Sequence, residues 1–516
     1  MSPCLMKQLT SQQHCAQSSP PLVWRPLALL LVVATVAMQA ATPPHASLQV
    51  TIRDRFLPAG SEFSFSVQLN GLQEGLGSSR ALLLKTLALK FPGFHRTRGP
   101  QVEPAGQITF RGRISQPGVF PFEVSLQAAG QTYTARDYLV ARESSEPGAF
   151  DHMGYYVFLG RGDYWDETHK LALSRLDDWE EVVDWMSVHR LDTLFCLLNG
   201  YTLAYPSEKY PSLIDKFCLN ARYNFLGKLI EYAHQRNVKV YLTLTTDDHA
   251  ASFGKLHPEA LRLNRDGFKA TDRALCLENQ EVQRYITAMF EEALDLYPHA
   301  DGVVIHPSEE DPDRYNDETK EAYYRDTGKE LTHSTKEERY HWYNETYAQF
   351  AARLYGLVTA KRAAMDFIMF NCWWQDEYAS IYKRLLPAKV RICAWYYGWD
   401  DTKYQKWPLY TWVENFGPER ILFMPTGPAF LYPADPWQQL ERHIGTDRLA
   451  SSVEALGVKS CIFFAGWDLG TENDRIRDLM LTRFPTTIWV NDRARKLSVT
   501  KELYENYWEG REDVLR

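Results

Sequence analysis

The chain has no CxxC pair and no Cys/His spacing suited to zinc, although it contains eight cysteines. It has no Lys/Arg-rich cluster, and its formal net charge is −8, which argues against nucleic acid as a partner. No Gly-rich phosphate loop follows the first strand of its α/β region, which disfavours a dinucleotide-binding doubly wound sheet. Beyond residue 41 no long apolar run occurs, so no stable membrane span is expected there.

The one apolar run, "PLALLLVVATVAMQAA" (residues 26–41), follows Arg25 and ends in small residues. It fits a signal-peptide core, so residues 1–41 are expected to direct export to the periplasm or the extracellular space. The flank before the run is long for a signal peptide, and Met6 is a second candidate start. Cys4 and Cys15 precede the run, while Cys196, Cys372, Cys393 and Cys461 lie in apolar, strand-like stretches and read as buried free thiols. Aromatic residues make up 13%, with 15 Trp and 29 Tyr. Such flat faces with polar handles suit sugar rings as well as a large core.

From residue 46 to 142 apolar and polar residues alternate in runs such as "EFSFSVQL" and "GQITFRGRI", separated by Gly and Pro. The pattern predicts a small all-β sandwich, immunoglobulin-like, followed by a linker at 143–150. From residue 151 to 516 short apolar strands alternate with amphipathic stretches. "MGYYVFLG", "LDTLFCLLNG", "VKVYLTLTTDDH", "ADGVVIHPSEE", "MDFIMFNCWW", "VRICAWYYGW", "RILFMPTG" and "VKSCIFFAGWD" give eight strands. The fold expected is an α/β (β/α)8 TIM barrel with a C-terminal helical tail, the segments between strands five, six and seven being the least clearly helical.

In a barrel of this kind function sits at the C-terminal strand ends. There the sequence places Arg161, then Asp248 and His249, then His306, Glu309 and Glu310. Strands five and six end near Asn371, Trp373, Trp395 and Tyr397, and strand eight near Trp467 and Asp468. A carboxylic acid beside a second carboxylate is what glycosidic cleavage requires: a proton for the leaving oxygen and negative charge for an oxocarbenium-like state. Glu309 and Glu310 point to opposite sides of a regular strand, so both reach one pocket only if the strand stops at Pro307. His249 and His306 are expected to form hydrogen bonds; the sequence supplies no ligand set for a metal, and the scheme needs no cofactor.

The segment "ALCLENQEVQRYITAMFEEALDLYPHADGVVIHPSEED" resembles the family-20 glycoside hydrolases of the β-N-acetylhexosaminidase type. The resemblance spans about residues 154–317. It implies that Glu310 is the general acid and that Glu309 stands where the family has an Asp orienting the substrate acetamido group. Pro307 and Ser308 replace the family's two glycines, and Glu309 is one methylene longer than its counterpart. The expected protein is a secreted, exo-acting glycosidase of oligosaccharides or polysaccharides. Trp373, Trp395 and Trp467 would wall the pocket, and Arg161, Asp248, His249, His306, Asn371, Tyr397 and Asp468 would bind substrate. Two alternatives stand beside it: a barrel hydrolase of another family acting on uronic-acid or sulfated glycans, with Arg161 meeting the anion, and a non-catalytic carbohydrate-binding barrel.

Overall fold

The computed structural model describes residues 46–70, 84–103, 107–128, 131–142, 150–160, 174–396, 408–425, 453 and 455–464. The expected signal segment and C-terminal tail lie outside them.

Eight strands precede the barrel: β1 (Ser47–Ile52), β2 (Phe56–Pro58), β3 (Glu62–Asn70), β4 (Leu87–Lys90), β5 (Phe94–Val102), β6 (Ile108–Ile114), β7 (Gly118–Ala128) and β8 (Gln131–Arg142). They form two four-stranded sheets, ordered β1-β3-β6-β5 and β2-β8-β7-β4. The period-2 pattern explains the layering. Phe63, Phe65 and Val67 of β3 face inward, while the residues between them face out. Phe65 stacks on Phe110 at 4.8 Å and meets Phe122 of the other sheet at 5.1 Å.

The next eight strands close a parallel barrel in chain order: β9 (His152–Phe158), β10 (Thr193–Asn199), β11 (Lys239–Thr245), β12 (Gly302–His306), β13 (Asp366–Phe370), β14 (Arg391–Tyr396), β15 (Ile421–Pro425) and β16 (Ser460–Phe464), which pairs back to β9. These are the eight apolar runs read from the sequence. Their continuous apolar character follows from burial on both faces; β10 and β12 are buried at every position. At Gly154 the neighbouring strand comes so close that an added Cβ would sit 1.6 Å from the Thr193 carbonyl oxygen.

Helices fill the outer ring where the sequence reads as helical, at Leu176–Val188, Leu226–Gln235, Gln280–Leu296 and Lys336–Lys361. Asn279 caps the third by accepting from the Glu281 and Val282 amides. Thr335 and Glu338 form a capping box on the fourth. The weakly helical region between strands five and seven holds two shorter helices, Ala379–Leu385 and Pro408–Phe416. The six described cysteines are all buried. No helix among the described residues is long and apolar enough to cross a membrane.

Candidate active site at the barrel mouth

The strand β12 stops at His306, directly before Pro307. Proline has no N–H for the ladder, so the chain leaves the sheet there. The loop that follows is held by side chains. Ser308 N donates to Asp247 Oδ1 at 3.0 Å, and Glu309 N donates to Asp248 Oδ2 at 3.0 Å. Ser308 Oγ donates to the same Asp248 oxygen at 3.2 Å and accepts from Glu310 N at 3.1 Å. On the carbonyl side, Trp374 Nε1 donates to Ser308 O and Trp373 Nε1 to Glu309 O, both at 2.8 Å. Arg262 reaches Asp311 O at 2.9 Å while its other nitrogen meets Asp247 Oδ2 at 2.8 Å. Buried backbone groups need partners, and here the ends of β11 and β13 supply them.

This scaffold sets the two glutamates in different surroundings. Glu309 Oε1 lies 3.7 Å from His306 Nε2 and 4.0 Å from His249 Nε2, and its side chain is 18% exposed. Glu310 Oε1 accepts from Arg273 Nη2 at 3.0 Å, and its side chain is 29% exposed. Arg273 Nε also stands 3.4 Å from Asp248 Oδ1, so one guanidinium links the loop cradle to Glu310.

Both histidines are buried at the ends of adjacent strands, with rings 5.7 Å apart. His306 Nδ1 is 3.0 Å from the Tyr156 hydroxyl of β9, and its ring lies 4.2 Å from Phe370. His249 adopts φ +55°, a left-handed backbone that non-glycine residues rarely take outside constrained sites. Burial pushes its pKa down to about 3, which leaves a neutral imidazole at ordinary pH.

Beyond β13, Asn371 accepts from Trp395 N at 2.7 Å and donates to Asp376 Oδ1 at 2.6 Å. Burial raises the Asp376 carboxyl to about 6, although Trp412 Nε1 and Asn371 both donate to it. Trp373 is 55% exposed, and its ring borders a groove of about 660 Å³ that Tyr340, Trp374, Asp376 and Tyr378 also line.

Of the residues expected at the site, the structure brings together Asp248, His249, His306, Glu309 and Glu310. Trp373 hydrogen-bonds the same loop, and Asn371 joins the adjacent Trp395 backbone. Trp395 is buried, 6.2 Å from His306 and 5.0 Å from Phe370. Arg161, Tyr397, Trp467 and Asp468 lie outside the described residues. Sequence reasoning missed Arg273, Tyr156, Arg262 and Asp376. Tyr156 sits inside an apolar strand run and reads as core, and Arg273 comes from a long loop with no periodicity. The Trp-Trp-Gln-Asp run after β13 was a usable signal for Asp376, as an acid beside pocket aromatics.

Residues 172–407 match the family described as glycosyl hydrolase family 20, catalytic domain. No curated protein matches the sequence. Among solved structures the chain is similar to a β-N-acetylhexosaminidase from Bacteroides fragilis at 13% identity, covering 75% of each chain with a TM-score of 0.49. It is also similar to an exo β-N-acetylglucosaminidase from Vibrio harveyi at 11% identity, covering 91% of this chain and 98% of that one with a TM-score of 0.46. A GH20 β-N-acetylhexosaminidase from Streptomyces coelicolor aligns at 11% identity over 74% of this chain and 73% of that one, with a TM-score of 0.44.

Proposed function

This chain carries a family-20 glycosyl hydrolase catalytic domain, and we propose that it removes terminal 2-acetamido sugars from glycans with Glu310 as general acid and Glu309 as its partner carboxylate. The protein is a glycosidase; the sugar and the residue roles are our reading. One observation carries it: within the matched stretch, two consecutive carboxylates leave β12 at the barrel mouth on a loop whose backbone is fixed on both sides. A rigid loop supports the positioning that proton transfer demands.

In this reading Glu310 gives its proton to the leaving oxygen, and Arg273 sets the direction of its carboxyl. Glu309 faces the developing positive charge and orients the acetamido group, whose oxygen attacks the anomeric carbon. The exposed ring of Trp373 offers a platform for a sugar face. The apolar segment at residues 26–41 supports export to the periplasm or extracellular space, where glycans would be met.

The test compares aryl β-glycosides that differ only at C2. Hydrolysis of the 2-acetamido substrate, with the 2-hydroxy substrate at least ~100-fold slower, supports acetamido participation. Equal rates would transfer the attack to Glu309 itself and remove the acetamido role. Hydrolysis of neither would contradict the proposed sugar class.

A further inference from the structure

We propose that His249, His306 and Glu309 bind one divalent transition-metal ion. Each residue offers one ligand atom, and the three atoms all lie within 4.8 Å of one another. Two imidazoles and a carboxylate are a donor set that suits zinc, cobalt, nickel or iron(II) rather than magnesium or calcium.

A second observation points the same way. His306 is 1% exposed, yet its Nε2 makes no hydrogen bond among the described residues and is directed at Glu309 Oε1 3.7 Å away. That separation is longer than a hydrogen bond. It is close to the spacing of two donors that share an ion: donors ~2.1 Å from zinc stand ~3.4 Å apart in a tetrahedron. The contacts of 3.7 and 4.0 Å to Glu309 therefore need to contract by about 0.3 and 0.6 Å on binding, and the two imidazole donors, which lie within 4.8 Å of one another, by no more than about 1.4 Å.

The surroundings fit a ligand role. The Tyr156 hydroxyl stands 3.0 Å from His306 Nδ1, where its oxygen can accept a hydrogen bond from Nδ1–H and leave the Nε2 lone pair for the ion. The Phe370 ring at 4.2 Å fixes the imidazole plane. Glu309 is the most exposed of the three and gives the ion its route in.

This site does not depend on the proposed role of Glu309 in hydrolysis. Its consequence for hydrolysis does. An ion on Glu309 cancels the negative charge that faces the sugar, so zinc should inhibit turnover and a chelator should restore it.

The full-length protein, stripped with chelator, would be titrated with Zn2+ by calorimetry and with Co2+ by its visible absorption. One ion per chain is expected, with ligand-field bands typical of nitrogen and oxygen donors. Both His306→Gln and His249→Gln should abolish saturable binding. Tyr156→Phe should weaken affinity ~10–100-fold while keeping the stoichiometry. Glu310→Gln should bind as wild type does. Thermal melts without metal identify any variant that has failed to fold, and Tyr156→Phe then provides the independent readout. Absence of saturable binding, or wild-type binding by both histidine variants, overturns the site. Ion binding by a protein inactive on every glycoside would leave the site standing and count against the hydrolytic reading alone.

Discussion

Glu310 is the residue on which the chemical reading turns. Replacing it with Gln keeps the shape and hydrogen-bonding capacity but removes the transferable proton, and general acids contribute ~10²–10⁴-fold. Glu310→Gln should therefore lose activity in that range on poor leaving groups with an unchanged melting temperature. A steady-state assay beside calorimetry checks both. Asp376 makes a different statement at the same scale. Its carboxyl is raised from 3.8 to about 6 by burial. Below about 4 both folded and unfolded chains hold the proton, so the site has no cost there. As pH rises through 6 the unfolded chain ionises more readily, and stability is lost. Asp376→Asn should then stabilise the protein by about 1–3 kcal/mol at pH 7 and have little effect at pH 4. Urea unfolding at the two pH values measures this; an equal effect at both would contradict it.

At the scale of elements, the loop after β12 is anchored twice. Its first turn hangs on Asp247 and Asp248, and its far end on Arg314, which binds Glu278 ahead of the helix Gln280–Leu296 at 2.6 and 2.8 Å. Burial by itself would raise Glu278, but the Arg314 guanidinium and its hydrogen bonds outweigh that and bring it down to about 2. A lowered carboxyl stabilises the fold above its ordinary value near 4.5, and that contribution disappears as pH falls through 2. Glu278→Gln leaves a buried guanidinium without its charge partner and should cost about 3–5 kcal/mol at pH 7. The gap to wild type should narrow between pH 4.5 and 2, as followed by denaturant unfolding. A pH-independent gap would refute the assignment.

The same scale shows what the sequence could reveal. All eight barrel strands were legible, because a strand buried on both faces is a short apolar run with few imitators. The helices Ala379–Leu385 and Pro408–Phe416 were not, since so few residues complete too few turns to display a period. Site residues at strand ends were legible for the same topological reason. Asp248 and Trp373 are expected to touch substrate, and each also bonds the backbone of the Glu309 loop, Asp248 as acceptor and Trp373 as donor. Residue type announces a polar partner without saying whether that partner is sugar or main chain. The pairing of Arg273 with Glu310 spans 37 positions and exists only once the intervening loop has folded.

For the whole molecule, the β-sandwich strands and the barrel make specific contacts. Arg142 Nε of β8 donates to Ser187 O at 3.1 Å, and the Arg236 guanidinium lies 3.9 Å from the Tyr138 ring centroid while bonding Asp184 at 2.7 Å. The Tyr138 hydroxyl also donates to Gln235 O. Tyr138→Ala should cost about 1–2 kcal/mol through the lost cation–π and hydrogen-bond contacts. The carboxylates proposed to act in catalysis lie at the barrel mouth, away from these contacts, so kcat/KM should remain within twofold of wild type. Calorimetry and a glycosidase assay on the same preparation separate the two effects, and a large fall in kcat/KM with unchanged stability would contradict this division.

The central claim is that Glu310 protonates the leaving group of a glycoside bound at the mouth of this barrel. It is tested most directly by hydrolysing a series of aryl 2-acetamido-2-deoxy-β-glycosides whose leaving groups differ in acidity, with wild type and with Glu310→Gln. The account predicts a shallow dependence for wild type and a steep one for the variant, whose rate approaches wild type on the most acidic phenol because that leaving group needs no proton. Parallel dependences, with the variant lowered equally on every substrate or not lowered at all, would contradict it.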